Sequence, residues 1–260
     1  MARVRSAAVS VMIDYSGRVV LVTGGTRGVG RGIAQRFADA GATVVVCART
    51  PVDDLPGGWG FVAADLRDGD AAFAAIDLTV ERYGSLDVLV NNAGGAPPVD
   101  TASASPRMTE RLVALNLFSA IYCSQQANHH MQSQADGGAI VNIASIAAVR
   151  HAPLAAAYGA AKAGLVAYTR TAGHEWAPKV RVNAVIAGLV RTEQSHVFYG
   201  DDAGIARVAT TIPLGRLAEP TDIGDVCLFL GSSLAGYVTG AALDVSGGGD
   251  RPAFLDAAKG

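Results

Sequence analysis

Seven short runs dominated by β-branched residues punctuate the chain: 18–24 (RVVLVTG), 42–48 (ATVVVCA), 60–66 (GFVAADL), 86–92 (LDVLVNN), 139–145 (AIVNIAS), 180–188 (VRVNAVIAG) and 242–248 (ALDVSGG). Most are continuously apolar rather than alternating, the mark of strands covered on both faces. Between them lie amphipathic helical stretches, which gives a βαβ rhythm. The pattern predicts an α/β fold: a single-domain, doubly wound parallel sheet of about seven strands with helices on both faces, binding its ligand outside the carboxyl ends of the strands. The connection 49–59 (RTPVDDLPGGW) holds two prolines and two glycines and reads as a loop. Residues 1–15 read as a flexible N-terminal extension, with Met12 a conceivable alternative start, 16–250 as the domain and 251–260 as a C-terminal tail.

Half of the 260 residues are hydrophobic, 17% are charged and the net charge is −2, so the chain can bury a sizeable core. No block of like charge marks a nucleic-acid or anionic-membrane partner. No apolar run reaches the roughly 18 residues of a membrane-spanning helix. Cys47, Cys123 and Cys227 are odd in number and widely spaced, against a disulfide framework or zinc site and in favour of a reducing cytoplasm.

The first candidate chemistry is TGGTRGVG, 23–30, which follows the first strand and opens the first helix. Gly24, Gly28 and Gly30 let the backbone turn tightly and approach a pyrophosphate at the helix N-terminus, the arrangement of a Rossmann-like dinucleotide site. NAD would call for a carboxylate at the end of the second strand to accept its ribose hydroxyls. Here the strand ends in Ala48 followed by Arg49, and Arg27 supplies a second guanidinium, so NADP(H) is favoured over NAD(H). Against this, Asp53 or Asp54 could fold back to the ribose, and Arg27 and Arg49 could be two solvated charges.

The second is YGAAK, 158–162: Tyr158 and Lys162 are four apart and share a helix face, a spacing that taken alone is often only a lysine lying over an aromatic. With NNAG at 91–94, Asn116 in VALNLF and Ser145 ending AIVNIAS, the ordered set resembles the short-chain dehydrogenase/reductase family over 18–249, in its 3-oxoacyl reductase-like branch. The resemblance implies an oxidoreductase interconverting a ketone and a secondary alcohol by hydride transfer. Tyr158 would be the acid or base, its pKa lowered by Lys162 and the oxidised cofactor. Ser145 would donate to the substrate oxygen, and Asn116 would hold a water relaying protons to Lys162. Read individually, Ser145 could equally cap a helix and Asn116 could bond neighbouring backbone. The cofactor would contact Thr23, Gly24, Thr26, Arg27, Gly28, Val29, Gly30, Arg49, Asp65, Leu66, Asn92, Ala93, Gly94, Tyr158, Lys162, Gly188, Val190 and Thr192. Asp65 could also be a turn residue. The family's usual Pro-Gly is Ala187-Gly188 here, which frees a backbone donor.

Substrate choice is expected in the loop 189–212, facing 96–99 and 146–154; Leu154, Val197, Phe198 and Tyr199 suggest a partly apolar pocket. Steroid-like or other cyclic ketones and 3-oxoacyl thioesters both remain open. No metal site is expected: HEW at 174–176 lacks a second histidine at zinc-helix spacing, and His129-His130 point in different directions on a solvated face. Enoyl reductases separate Tyr from Lys by more residues and fit less well. The rival from another class is a catalytically silent NADP-sensing regulator or scaffold. The family resemblance also implies a homotetramer or homodimer.

Overall fold

The computed structural model describes residues 13–252, 254 and 258; the N-terminal extension up to Met12, and most of the tail, lie outside the described residues. In chain order the elements are β1 (Val19–Thr23), α1 (Gly28–Asp39), β2 (Thr43–Ala48), β3 (Gly60–Ala63), α2 (Gly69–Tyr83), β4 (Val88–Asn91), α3 (Pro106–Val113), α4 (Ser119–Ser133), β5 (Gly138–Ser145), α5 (Ala156–Glu175), β6 (Val180–Ala187), α6 (Ser195–Tyr199), α7 (Asp202–Ala209), α8 (Pro220–Gly231) and β7 (Ala242–Val245). All seven strands pair in parallel in the order β3-β2-β1-β4-β5-β6-β7. Each of the seven apolar runs became a strand. Segment 49–59 contains no helix or strand, as its prolines and glycines predict.

Successive residues of β1 feed opposite faces of the sheet. Val20 and Val22 pack with Ile33, Phe37, Ile223 and Leu230 of α1 and α8. Leu21 packs on the other side with Ile76, Leu89, Met131 and Ile140, beneath α2 and α4. Full burial of β1 on both faces explains why its sequence does not alternate. Helix ends carry local signals: Asp68 caps α2, and Ser105 with Pro106 starts α3.

Strand order reverses between β1 and β4, which opens a crevice at their carboxyl ends. Two helical features shape that crevice. Residues Ala114–Phe118, between α3 and α4, form a π-helical turn, a widening frequent at functional sites. The 20-residue α5 lies against β5 and β6 and carries a Gly- and Ala-rich face beside them.

Candidate active site

A cavity of about 980 Å³ occupies the switch point, lined by the residues following β1 to β6. Gly24, Thr26, Arg27, Gly28, Val29, Gly30, Arg49, Asp65, Leu66, Asn92, Ala93, Gly94, Ser145, Tyr158, Lys162, Gly188, Val190 and Thr192 all line it. Two of the anticipated residues, Thr23 and Asn116, lie behind the wall. Thr23 faces inward because it is the last residue of a strand buried throughout: its Oγ1 accepts from the backbone N–H of Asn92 and Ala93, both at 2.9 Å. Asn116 donates through Nδ2 to the carbonyls of Gly95 and Leu112, each at 2.9 Å, while its Oδ1 accepts from the Gly95 N–H at 2.8 Å. Both amide hydrogens are thus committed to backbone, as the plainer sequence reading held, which leaves only a lone pair of Oδ1 for a water.

At the phosphate end, Gly24 and Gly28 adopt φ of +63° and +52°. A Cβ on Gly30 would stand 2.2 Å from the Gly24 carbonyl oxygen, so the loop closes only over glycine. The loop therefore fits a pyrophosphate: its backbone lies open to the cavity at the start of α1, which has no side-chain cap of its own.

The side chains of Arg27 and Arg49 are exposed and make no hydrogen bond or ion pair among the described residues. Loop 49–59 does bring Asp54 to the cavity rim, but its carboxylate is tied to Arg31 at 2.6 Å, with a second bond from Arg31 to the Asp54 carbonyl. Asp53 is not part of the lining. Asp65 opens a turn, its carbonyl accepting from the Asp68 N–H, and binds Arg67 through its carboxylate, so it is a turn residue and a lining residue together. That bond, above all, holds the Asp65 carboxyl below the usual carboxylate range. Arg31, Arg67 and Glu193 escaped the sequence reading because none belongs to a motif; only the fold brings them to the rim.

At the chemical end, α5 presents Tyr158 and Lys162 on one face, with the Lys162 Nζ 5.8 Å from the Tyr158 ring centroid. Lys162 is 3% exposed and donates to the Ile143 carbonyl at 2.8 Å. Burial brings its pKa down to about 8. Burial likewise pushes the Tyr158 phenol up, opposed by its hydrogen bond with Ser145. The expectation that Lys162 lowers Tyr158 is thereby corrected for the protein alone, since desolvation of the phenolate outweighs other influences. Ser145 also accepts from the Ala147 N–H at 3.2 Å and starts a short 3₁₀ turn, so the capping reading holds alongside its place in the cavity wall. Gly94 completes this end: a Cβ there would lie 2.7 Å from Asn116 Oδ1 and 3.2 Å from Lys162 Nζ.

Ala187 closes β6 in register with Ser145 and Val245, and the Gly188 N–H donates to the Val245 carbonyl, so the loop leaves the sheet from an anchored position without the proline. His129 and His130 do not diverge: their rings meet edge to face at 5.4 Å, and His130 bonds Asp77 across α2 and α4. Among the described residues no group of three or more His, Cys, Asp or Glu could hold a metal, and no helix is long and apolar enough to cross a membrane. All three cysteines are buried and unbridged.

The family model described as enoyl-(acyl carrier protein) reductase matches residues 24–249. The chain is 34% identical to 2-dehydro-3-deoxy-D-gluconate 5-dehydrogenase of Escherichia coli, an alignment covering 90% of this chain and 96% of the relative. It is also 34% identical to the 3alpha-hydroxysteroid dehydrogenase of Mediterraneibacter gnavus, covering 88% and 96%. The crystal structure of a short-chain dehydrogenase/reductase from Brucella melitensis, described as a glucose/ribitol dehydrogenase, superposes with a TM-score of 0.82 at 32% identity, covering 91% of this chain and 98% of that one.

Proposed function

The chain belongs to the short-chain dehydrogenase/reductase family of NAD(P)-using oxidoreductases, and on that premise we propose that it interconverts a ketone and a secondary alcohol with NADP(H). One observation carries this reading: a single cavity holds Ser145, Tyr158 and Lys162 at one end and two unpaired guanidinia, Arg27 and Arg49, at the other. Bound in the cavity, the nicotinamide supplies or accepts the hydride. The chain's own residues do the rest.

Tyr158, with its phenol favoured in the protonated form by burial, gives its proton to the carbonyl oxygen during reduction and takes it back during oxidation. Ser145, beside Tyr158 in the cavity wall, donates to the same oxygen and stabilises the charge developing there. Lys162 would bond the nicotinamide ribose, and its ammonium, with the positive charge of the oxidised cofactor, would bring the phenolate within reach. Asn116 acts through Gly95, fixing the loop after β4 against the π-helical turn. Of the cavity wall, Asp65, Leu66, Asn92, Ala93 and Gly94 would hold the adenosine, and Gly188, Val190 and Thr192 the carboxamide. Thr23 supports Asn92 and Ala93 from behind.

NADP is preferred because the one acidic side chain of loop 49–59 at the rim is neutralised by Arg31, while Arg27 and Arg49 make no ion pair, Arg49 facing only the Asp65 carboxylate that Arg67 already binds, and can clasp a 2′-phosphate. The substrate is a small carbonyl or alcohol. The close Tyr158–Lys162 spacing favours carbonyl over enoyl reduction, and exposed Leu154, Val197 and Phe198 favour an apolar ring ketone or a 3-oxoacyl thioester, chosen by loop 189–212. The unbridged cysteines agree with a reducing cytoplasm. Exposed Leu234, Tyr237 and Leu243, on and near edge strand β7, fit association of copies into a dimer or tetramer. The test is loss of NADPH absorbance across a panel of cyclic ketones and 3-oxoacyl thioesters, repeated with NADH. Turnover with NADPH at the lower KM supports the assignment; preference for NADH removes the NADP part, and NADPH binding without turnover of any member points instead to a silent sensor.

A further inference from the structure

Some helices of this fold cap their own first turn and others, α1, α5 and α6 among them, do not. Asp68, Ser105 and Asp201 each accept a backbone N–H of the helix they precede. At α1 the capping position is Arg27, no side chain caps the helix, and its first turn contains no acidic residue. The carboxylate found there comes from far along the sequence. Glu193 Oε1 accepts from the Gly28 N–H at 3.4 Å, and Oε2 stands 3.6 Å from the point a Gly28 Cβ would occupy. Glu193 lines the same cavity and makes no other hydrogen bond or ion pair among the described residues.

Its neighbours hold it in place. Val190 bridges to Ala218, the Arg191 N–H donates to the Ala218 carbonyl, and the Thr192 N–H donates to the hydroxyl of buried Ser195. A turn clamped on both sides thus delivers a carboxylate whose one hydrogen-bond partner is the Gly28 N–H to the positive end of a helix.

We propose that Glu193 is an internal anionic latch: its carboxylate occupies the pyrophosphate position at α1, and an entering dinucleotide must expel it. The latch rests on the dinucleotide reading above and deepens it. A pyrophosphate and a carboxylate repel one another over the same N–H groups, so they exclude each other. Binding of the phosphates and displacement of the Glu193 carboxylate are then two sides of one equilibrium, and an adenosine without phosphate leaves it undisturbed.

The experiment compares the full-length protein with Glu193→Gln and Glu193→Ala, both at an exposed position. Dissociation constants are measured for NADPH by its fluorescence and for ADP and adenosine by calorimetry. Both variants should bind NADPH and ADP about 3- to 30-fold more tightly than the unaltered protein, with adenosine affinity unchanged. Equal ADP affinities in all three proteins, or weaker binding by the variants, overturn the latch. Tighter ADP binding with no binding of NADPH would instead leave the latch standing and overturn the dinucleotide reading.

Discussion

Lys162 is held at a cost that its pKa exposes. The ordinary value of 10.5 falls to about 8 because the ammonium is taken out of water with one carbonyl, that of Ile143, as partner. The unfolded chain therefore binds this proton more tightly than the folded one, and stability contributed by the site rises with pH between about 8 and 10.5. Replacing Lys162 by Met should stabilise the cofactor-free protein at pH 7 by on the order of 1–3 kcal/mol and flatten that rise, as read by denaturant melts at several pH values. The same titration predicts an alkaline limb in kcat/KM for reduction, beginning near pH 8 as the ammonium is lost. Ser145 serves two ends: Ser145→Ala should lower kcat by about 10²- to 10³-fold and cost about 1 kcal/mol through the lost cap. That Ser145, Tyr158 and Lys162 would meet at this end was legible in the ordered motifs. The directions of their pKa values were not, because burial is a property of the assembled sheet and α5.

At the scale of elements, the strands were legible because parallel strands buried on both faces write themselves as unbroken apolar runs. The π-helical turn at Ala114–Phe118 left no such trace, and it is what aims Asn116 at Gly95 instead of into the cavity. The joint of β1 and α1 is legible as glycines, but the reason for each appears only in space. Gly30→Ala would place a methyl 2.2 Å from the Gly24 carbonyl oxygen, and the helix start must move to admit it. That variant should fold, as judged by circular dichroism, yet bind dinucleotide at least about 10-fold more weakly. Retained affinity would mean that the loop gives way without harm. Arg31 and Glu193 were unreadable for the opposite reason: each gains meaning from a partner on a different element, respectively Asp54 and Gly28, while Arg67 pairs within its own turn with Asp65.

The whole molecule places its phosphate loop and its Tyr–Lys face on opposite sides of one crevice because strand order reverses between β1 and β4. That topology followed from the βαβ rhythm; the charge balance at the adenosine end did not, since Asp54 is silenced by a helix residue 23 positions earlier. Removing Arg27 and Arg49 together should raise the KM for NADPH by about 10- to 100-fold and leave that for NADH within a few-fold. Light scattering should show a dimer or tetramer, and a stable monomer would refute the role given to the β7 edge.

The central claim is that the cavity performs proton transfer through Tyr158 on a bound carbonyl. Tyr158→Phe removes one hydroxyl and keeps the ring, so NADPH binding should persist within a few-fold while turnover of the best ketone falls by about 10²- to 10⁴-fold. Turnover that survives the substitution, with binding intact, would contradict the account.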